Sequence, residues 1–318
     1  MLGVPSDEIV DRFIDAILAE NLASIKTFLN DYPSLIDPTI TISAGALHVC
    51  SEIGWIPGAE VLVRAGADVN GRNSCDATPL QIAVDKSIPE MVEWLLVHGA
   101  DIAAPHPKGL TATFLAALNA VYGEEGEGML ELLLSKGARL DLRSLLQLGR
   151  TADVRLMLAE EPDLVRSHAQ REELIPTAIA GIHSLSFRAD ARTGQPLAPE
   201  SMLPMYREIL TLLLAHGADI NDLGQQGTPL HCAVSFCDPE RRLIELLIDL
   251  GADVNKRRVP DGMTPLDVAH FAMSPTVSVL QAHGAVTTRP PQTMLDLSAP
   301  YLEQLAKEIE DGRRAPEE

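Results

Sequence analysis

Apolar residues in this chain come in paired runs at helical spacing, each pair opened by a capping residue and closed by a glycine. The stretch from Gly227 to Asn255, GTPLHCAVSFCDPERRLIELLIDLGADVN, holds one full pair: an apolar segment, a turn, a second apolar segment and a Gly-Ala-Asp ending. Thr228 predicts an N-cap, Pro229 suits the first helical turn, and Leu230 begins the buried face. Gly251 predicts the left-handed residue that closes the second helix. Asp253, Val254 and Asn255 then lead outward into a turn. One such unit cannot bury its own apolar face, so the pattern predicts stacked copies.

Copies are present. Gly-Ala recurs at Gly66, Gly99, Gly137, Gly217, Gly251 and Gly284, and Thr78-Pro79-Leu80, Thr111 and Thr264-Pro265-Leu266 repeat the front end. A step of 33 residues (99 − 66, and again 284 − 251) carrying Thr-Pro-Leu-His and Gly-Ala-Asp-Val-Asn resembles the ankyrin repeat. The resemblance covers most of residues 40 to 287. It implies an all-α solenoid of helix-turn-helix units with short β-hairpin turns, and a function in binding other proteins through variable residues. A fold of this kind names no partner.

On this reading the chain is organised as one elongated array. Residues 1–44 form an N-terminal capping helix pair, with Ser6 as a cap and Ile9, Phe13, Ile14 and Ile17 at helical spacing. Regular repeats occupy 45–141, degenerate repeats with a long insertion 142–221, and C-terminal repeats 222–287; a tail helix and disordered end take 288–318, with Leu302, Leu305, Ala306 and Ile309 on one face of the helix. Within this frame Gly123 to Gly128 is expected as a flexible acidic loop and Ser184 to Pro204 as a long loop between helices. Trp94, at a buried position of its second helix, is expected to plug the core between repeats.

Charge narrows the partner. With 45 acidic and 25 basic residues the formal charge is −20, which repels nucleic-acid phosphates and anionic membrane and favours basic or neutral partners. Cys50, Cys75, Cys232 and Cys237 show no CxxC pairing and read as reduced thiols, which with the acidic start of the chain points to the cytoplasm. No stretch approaches the ~20 apolar residues of a membrane span. His231, Cys232, Cys237 and His270 are the only metal-like cluster, and they lack ligand spacing. No nucleophile elbow, phosphate loop or dinucleotide fingerprint is present. Neither a catalytic residue, a cofactor nor a metal is therefore expected.

The resemblance places the ligand face on the hairpin tips and on the exposed side of each first helix. Counting from each Thr puts Arg72, His106, Lys108, Gln225, Arg257 and Asp261 at the tips, and Asp85, Lys86, Asn119, Phe236 and Phe271 on the helices. The two Phe lie on successive first helices and suggest an aromatic patch, placing the site between residues 184 and 271. By the same resemblance His48 and His231 bond backbone near the neighbouring hairpin, and His98, His216 and His283 sit at helix ends. The main reading is a protein-interaction module that holds a partner in its concave groove. The alternative is an enzyme or small-ligand-binding protein using the groove beside the 184–204 insertion.

Overall fold

The computed structural model describes residues 5–37, 45–121, 124–168, 171–185, 199–235, 241–259 and 261–288. They fall into two compact units, Met1–Glu160 with Gly181–Leu197, and Glu161–Ala180 with Ala198–Glu318. The first unit holds α1 (Asp7–Leu18), α2 (Leu22–Asp31), α3 (Ala46–Ile53), α4 (Ile56–Arg64), α5 (Pro79–Asp85), α6 (Pro89–Val97), α7 (Ala112–Ala120), α8 (Glu124–Ser135), α9 (Leu142–Gln147) and α10 (Thr151–Glu160). The second holds α11 (Leu164–Ser167), α13 (Pro199–Ala215), α14 (Pro229–Val234), α15 (Arg241–Asp249), α16 (Pro265–Phe271) and α17 (Val277–Ala282), and the division runs through α12 (Leu174–Leu185). Within each unit a helix packs on its partner, as α5 does on α6, and each first helix packs on the next, α3 on α5, α5 on α7 and α14 on α16. Leu62, Leu80, Leu95 and Leu133 fill the first core, and Leu213, Leu230, Leu247 and Leu280 the second; all are at most 1% exposed.

Residues with local roles explain why the pairs form. Thr78 and Thr264 cap α5 and α16, each accepting from the backbone N–H three residues on while that residue's side chain accepts from the cap. Gly66, Gly99, Gly217, Gly251 and Gly284 take φ between 80° and 104°, the left-handed region that ends a helix. After Gly66, Gly217 and Gly251 the Gly-Ala-Asp-x-Asn motif does two jobs. Asp68, Asp219 and Asp253 fold the turn by accepting the N–H two residues on. The Asn then reaches the next repeat: Asn70 donates to the Gly99 carbonyl and accepts from Asp101, Asn221 pairs likewise with Gly251 and Asp253, and Asn255 with Gly284 and Val286. No β-strand forms among the described residues. The tips are turns, with an isolated antiparallel bridge between Gly224 and Gly227.

The fourth residue of each tetrad joins one repeat to the next by whatever chemistry it carries. His48 Nε2 bonds the Ala77 carbonyl and His231 Nε2 the Met263 carbonyl, both at 3.0 Å. Gln81 reaches the Ala104 carbonyl at 3.4 Å. Phe114 has no polar atom, and the Arg143 guanidinium stacks 4.3 Å from its ring centroid instead. Asp267 can only accept, and it takes the Thr288 N–H at 3.0 Å and the Thr288 hydroxyl at 2.5 Å. His231 Nδ1 accepts from both the N–H and the hydroxyl of Thr228. At the matching place before His48 stands Gly45, and His48 Nδ1 lies buried without a partner among the described residues. Burial also pulls the His48 pKa down, against the bond to the Ala77 carbonyl. Gly45 has an extended backbone (φ −84°, ψ 164°) that threonine adopts freely. Gly45→Thr is therefore expected to add about 1 kcal/mol of stability by capping α3 and satisfying that nitrogen. A urea midpoint equal to or below the wild type would rule this out.

Several sequence expectations need correction. Glu124 to Gly128 is the start of α8, not a loop, because Gly126 lets α8 lie against the Asn119–Ala120 backbone of α7 where a Cβ would overlap it. Trp94 is half-buried: it packs against the first core without being enclosed in it, and its ring stacks on His98 at 3.9 Å between centroids. The insertion is shorter than expected, since α12 runs to Leu185 and α13 starts at Pro199, with Pro204 inside the helix. Ser6 takes the N-cap conformation of α1 without a side-chain cap bond. In the fourth pair Asp141 caps α9 directly, four residues after Gly137, which leaves no length for an outward tip. Cys237, Phe236, residues 186–198 and the tail helix at 298–311 lie outside the described residues.

Candidate functional site

In the N-terminal unit the exposed ends of three first helices carry polar groups that touch one another. Glu52 lies on α3, Asp85 and Lys86 at the end of α5, and Asn119 on α7. Lys86 Nζ stands 3.3 Å from Glu52 Oε1 and 3.9 Å from Asp85 Oδ2. Asn119 Nδ2 donates to the Asp85 carbonyl at 3.2 Å, one of the carbonyls left open by the end of α5. Half-exposed ion pairs of this kind contribute only ~0–1 kcal/mol to stability, so folding does not account for the row.

Beside Asp85 the surface dips into a cleft of about 160 Å³. Ala77, Ile82, Leu110 and Leu115 give it apolar walls, and Asp85 and His106 stand among them. His106 is 9% exposed and committed: Nδ1 accepts from the Lys108 N–H at 3.0 Å, so Nε2 carries the hydrogen it gives to the Cys75 carbonyl at 3.2 Å. Gln81, also on the wall, has its carbonyl oxygen on the Thr78 N–H and its amide nitrogen on Ala104. Asp85 is the one charged residue among those that line the cleft. Its carboxylate has no hydrogen bond among the described residues beyond the distant Lys86 contact. Ile82, Leu110 and Leu115 escaped the sequence reading. The available signal was an apolar residue at a register the tetrad leaves half-exposed.

At the turn tips the expected contact residues divide. The Arg72 guanidinium donates to the Asp76 carbonyl at 2.7 Å and also reaches the Pro105 carbonyl, joining two tips. Lys108 is exposed, and its carbonyl accepts from Arg143 at 2.8 Å. In the second unit Asp261 is clamped by Arg258, Nη2 to Oδ2 at 2.7 Å, and accepts from the Met263 N–H at 3.1 Å. Gln225 is exposed while its N–H binds Glu173 at 2.7 Å, and Arg257 is exposed. Phe271 ends α16 with 64% of its surface exposed, so it does not pack inside the stack, and Met273 two residues on is 90% exposed. The aromatic partner expected for it, Phe236, belongs to the residues outside the description.

The remaining chemistry is quiet. His98, His216 and His283 each bond a carbonyl four residues back, at 2.7, 2.8 and 2.9 Å, as helix ends favour. Burial pushes the Cys50 and Cys232 thiols up to about 12, which makes them unreactive. Among the described residues no group of three or more His, Cys, Asp or Glu side chains could hold a metal ion, and no helix is long and apolar enough to cross a membrane.

Stacked helix pairs with capped first helices, glycine-closed second helices and side-chain bonds from each repeat to the next define a helical-repeat protein. The chain belongs to the ankyrin-repeat family: ankyrin repeats in three copies match residues 47–144, ankyrin repeats in many copies residues 206–241, and the single ankyrin repeat residues 226–258. Among curated proteins it is 26% identical over 232 residues to ankyrin repeat and SOCS box protein 6 of Pongo abelii and 25% identical over 232 residues to that of Homo sapiens, covering 67% of this chain and 52% of each of theirs. The chain thus spans about half the length of these relatives. The solved ankyrin repeat domain of human ASB11 covers 76% of this chain and 99% of its own, with 20% identity and a TM-score of 0.40.

Proposed function

We propose that this chain is a protein-interaction module that takes a partner segment along the exposed ends of its first helices and the neighbouring turn tips. The observation that carries the reading is the row Glu52, Asp85, Lys86 and Asn119, which is held in place, faces solvent and adds little to stability. In the second unit, taken by itself, Phe271 and Arg257 are exposed at the corresponding first-helix and tip positions of its repeats. Aromatic and arginine side chains are enriched among the anchors that dominate interfaces. The partner is basic or neutral, in keeping with the chain's charge of −20.

The experiment is selection of random peptides on the full chain by phage display, followed by affinity measurement against Lys86→Glu and Phe271→Asp. Both positions are exposed, so melting is expected to stay within about 0.5 kcal/mol of the wild type. Loss of about tenfold in affinity with either variant supports the reading. Selected peptides that bind both variants as well as the wild type would overturn it.

A further inference from the structure

We infer that the cleft beside Asp85 receives one basic side chain, lysine or arginine, from the bound partner; the inference rests on the interaction face proposed above and gives its first recognition element. The walls and the charge suit such a side chain in order. Ile82 on α5 and Leu115 on α7, with Leu110 ahead of α7, offer apolar surface along which an aliphatic stem lies, and Asp85 stands as the carboxylate for its head. The volume, about 160 Å³, is near that of a cavity holding one benzene and below the ~300–1,000 Å³ of pockets that take whole small molecules.

Each other polar group around the cleft is already spoken for. Both ring nitrogens of His106 are bonded, and so are both ends of the Gln81 amide, so neither selects for a neutral polar side chain. Among the described residues Lys86 is the one cation paired with Asp85, and its ammonium lies closer to Glu52, at 3.3 Å against 3.9 Å. Glu52 thereby draws the competing cation toward itself. An acidic partner side chain would meet Asp85, Glu52 and the field of the whole chain; an apolar one would bury the walls but give the Asp85 carboxylate no counter-charge.

The test uses the full chain and acetylated, amidated pentapeptides of alanine with a central arginine, lysine, norleucine or glutamate, read by amide NMR at Ile82, Asp85, Leu110 and Leu115. The arginine and lysine peptides are expected to shift these resonances saturably, norleucine and glutamate much less, and Asp85→Asn to weaken the basic peptides about fivefold, as a half-exposed ion pair would. High salt should weaken them in the same direction. Equal binding of the norleucine peptide, or unchanged binding of the basic ones by Asp85→Asn, would overturn the inference. So would absence of any shift at these amides. The phage-selected peptides keep the two readings apart: if they still depend on Lys86 or Phe271 while indifferent to Asp85→Asn, the face survives and the basic-residue cleft does not.

Discussion

Gly126→Ala is expected to destabilise the N-terminal unit by about 2–3 kcal/mol, although alanine is the better helix former. A Cβ at this position of α8 would overlap the backbone carbon and oxygen of Asn119 and the nitrogen of Ala120. Those atoms belong to α7 and cannot rotate away as a side chain can, so the two helices must separate and the packing around Met129 and Leu133 loosens. Gly128, two residues on in the same helix, is exposed and has nothing within 4 Å of the added atom. Gly128→Ala should therefore stabilise by about 0.5–1 kcal/mol through helix propensity alone. Urea midpoints of the pair, with amide exchange across α7 and α8, separate the effects. Equal changes in both variants would contradict the close approach.

Asp267→Asn is expected to cost about 2 kcal/mol at neutral pH, and to remove a pH dependence that the wild type shows in acid. The Asp267 side chain is fully buried and accepts from the Thr264 N–H at 3.0 Å and from both the N–H and the hydroxyl of Thr288. Burial raises its pKa, but these donors outweigh burial and hold the carboxyl below its usual 3.8. The charged form is thus favoured in the folded chain. Its contribution is complete above about 3.8 and is lost as pH falls through the lower folded value. An asparagine keeps the shape, yet turns an amide toward donors that need an acceptor. Denaturation across acid pH measures both effects, with exposed Asp249→Asn as the control. A variant as stable as the wild type would show that the Thr288 contacts carry no weight.

What the sequence made legible is what the backbone decides locally. Thr78, Thr264, Gly66 and Gly251 act within a few residues of themselves, so caps and helix ends are readable without the fold. Counting from those caps also places Asp85, Lys86 and Asn119 on one face. What escaped depends on contact across repeats. His48, Gln81, Phe114 and Asp267 look unrelated as residue types, and only their shared reach to the next repeat shows that they hold one position. Gly126 reads as a loop residue because glycine disfavours helices, until α7 is seen against it. His106 and Asp261 read as open tip residues, because a sequence does not distinguish a bonded polar group from a waiting one. Trp94 meets the expectation in part: it packs against the core, and the register turns it partly outward onto His98.

The asparagine bridges also bear on how this protein ages. Asn70 is followed by Gly71, the neighbour that least hinders attack of the next backbone nitrogen on the side-chain carbonyl, whereas Asn221 precedes Asp222 and Asn255 precedes Lys256. In the folded chain the Asn70 amide is tethered at both ends, by Gly99 and Asp101, and is kept from turning back on its own backbone. Once the chain unfolds that restraint is gone: the Gly71 nitrogen closes on the side-chain carbonyl, ammonia leaves, and water opens the resulting succinimide to aspartate or isoaspartate. The refolding chain would then set a carboxylate oxygen against the Gly99 carbonyl, acceptor against acceptor, at a seam that needs a donor. Time spent unfolded is thus recorded covalently at residue 70, and damage there accumulates in proportion to it.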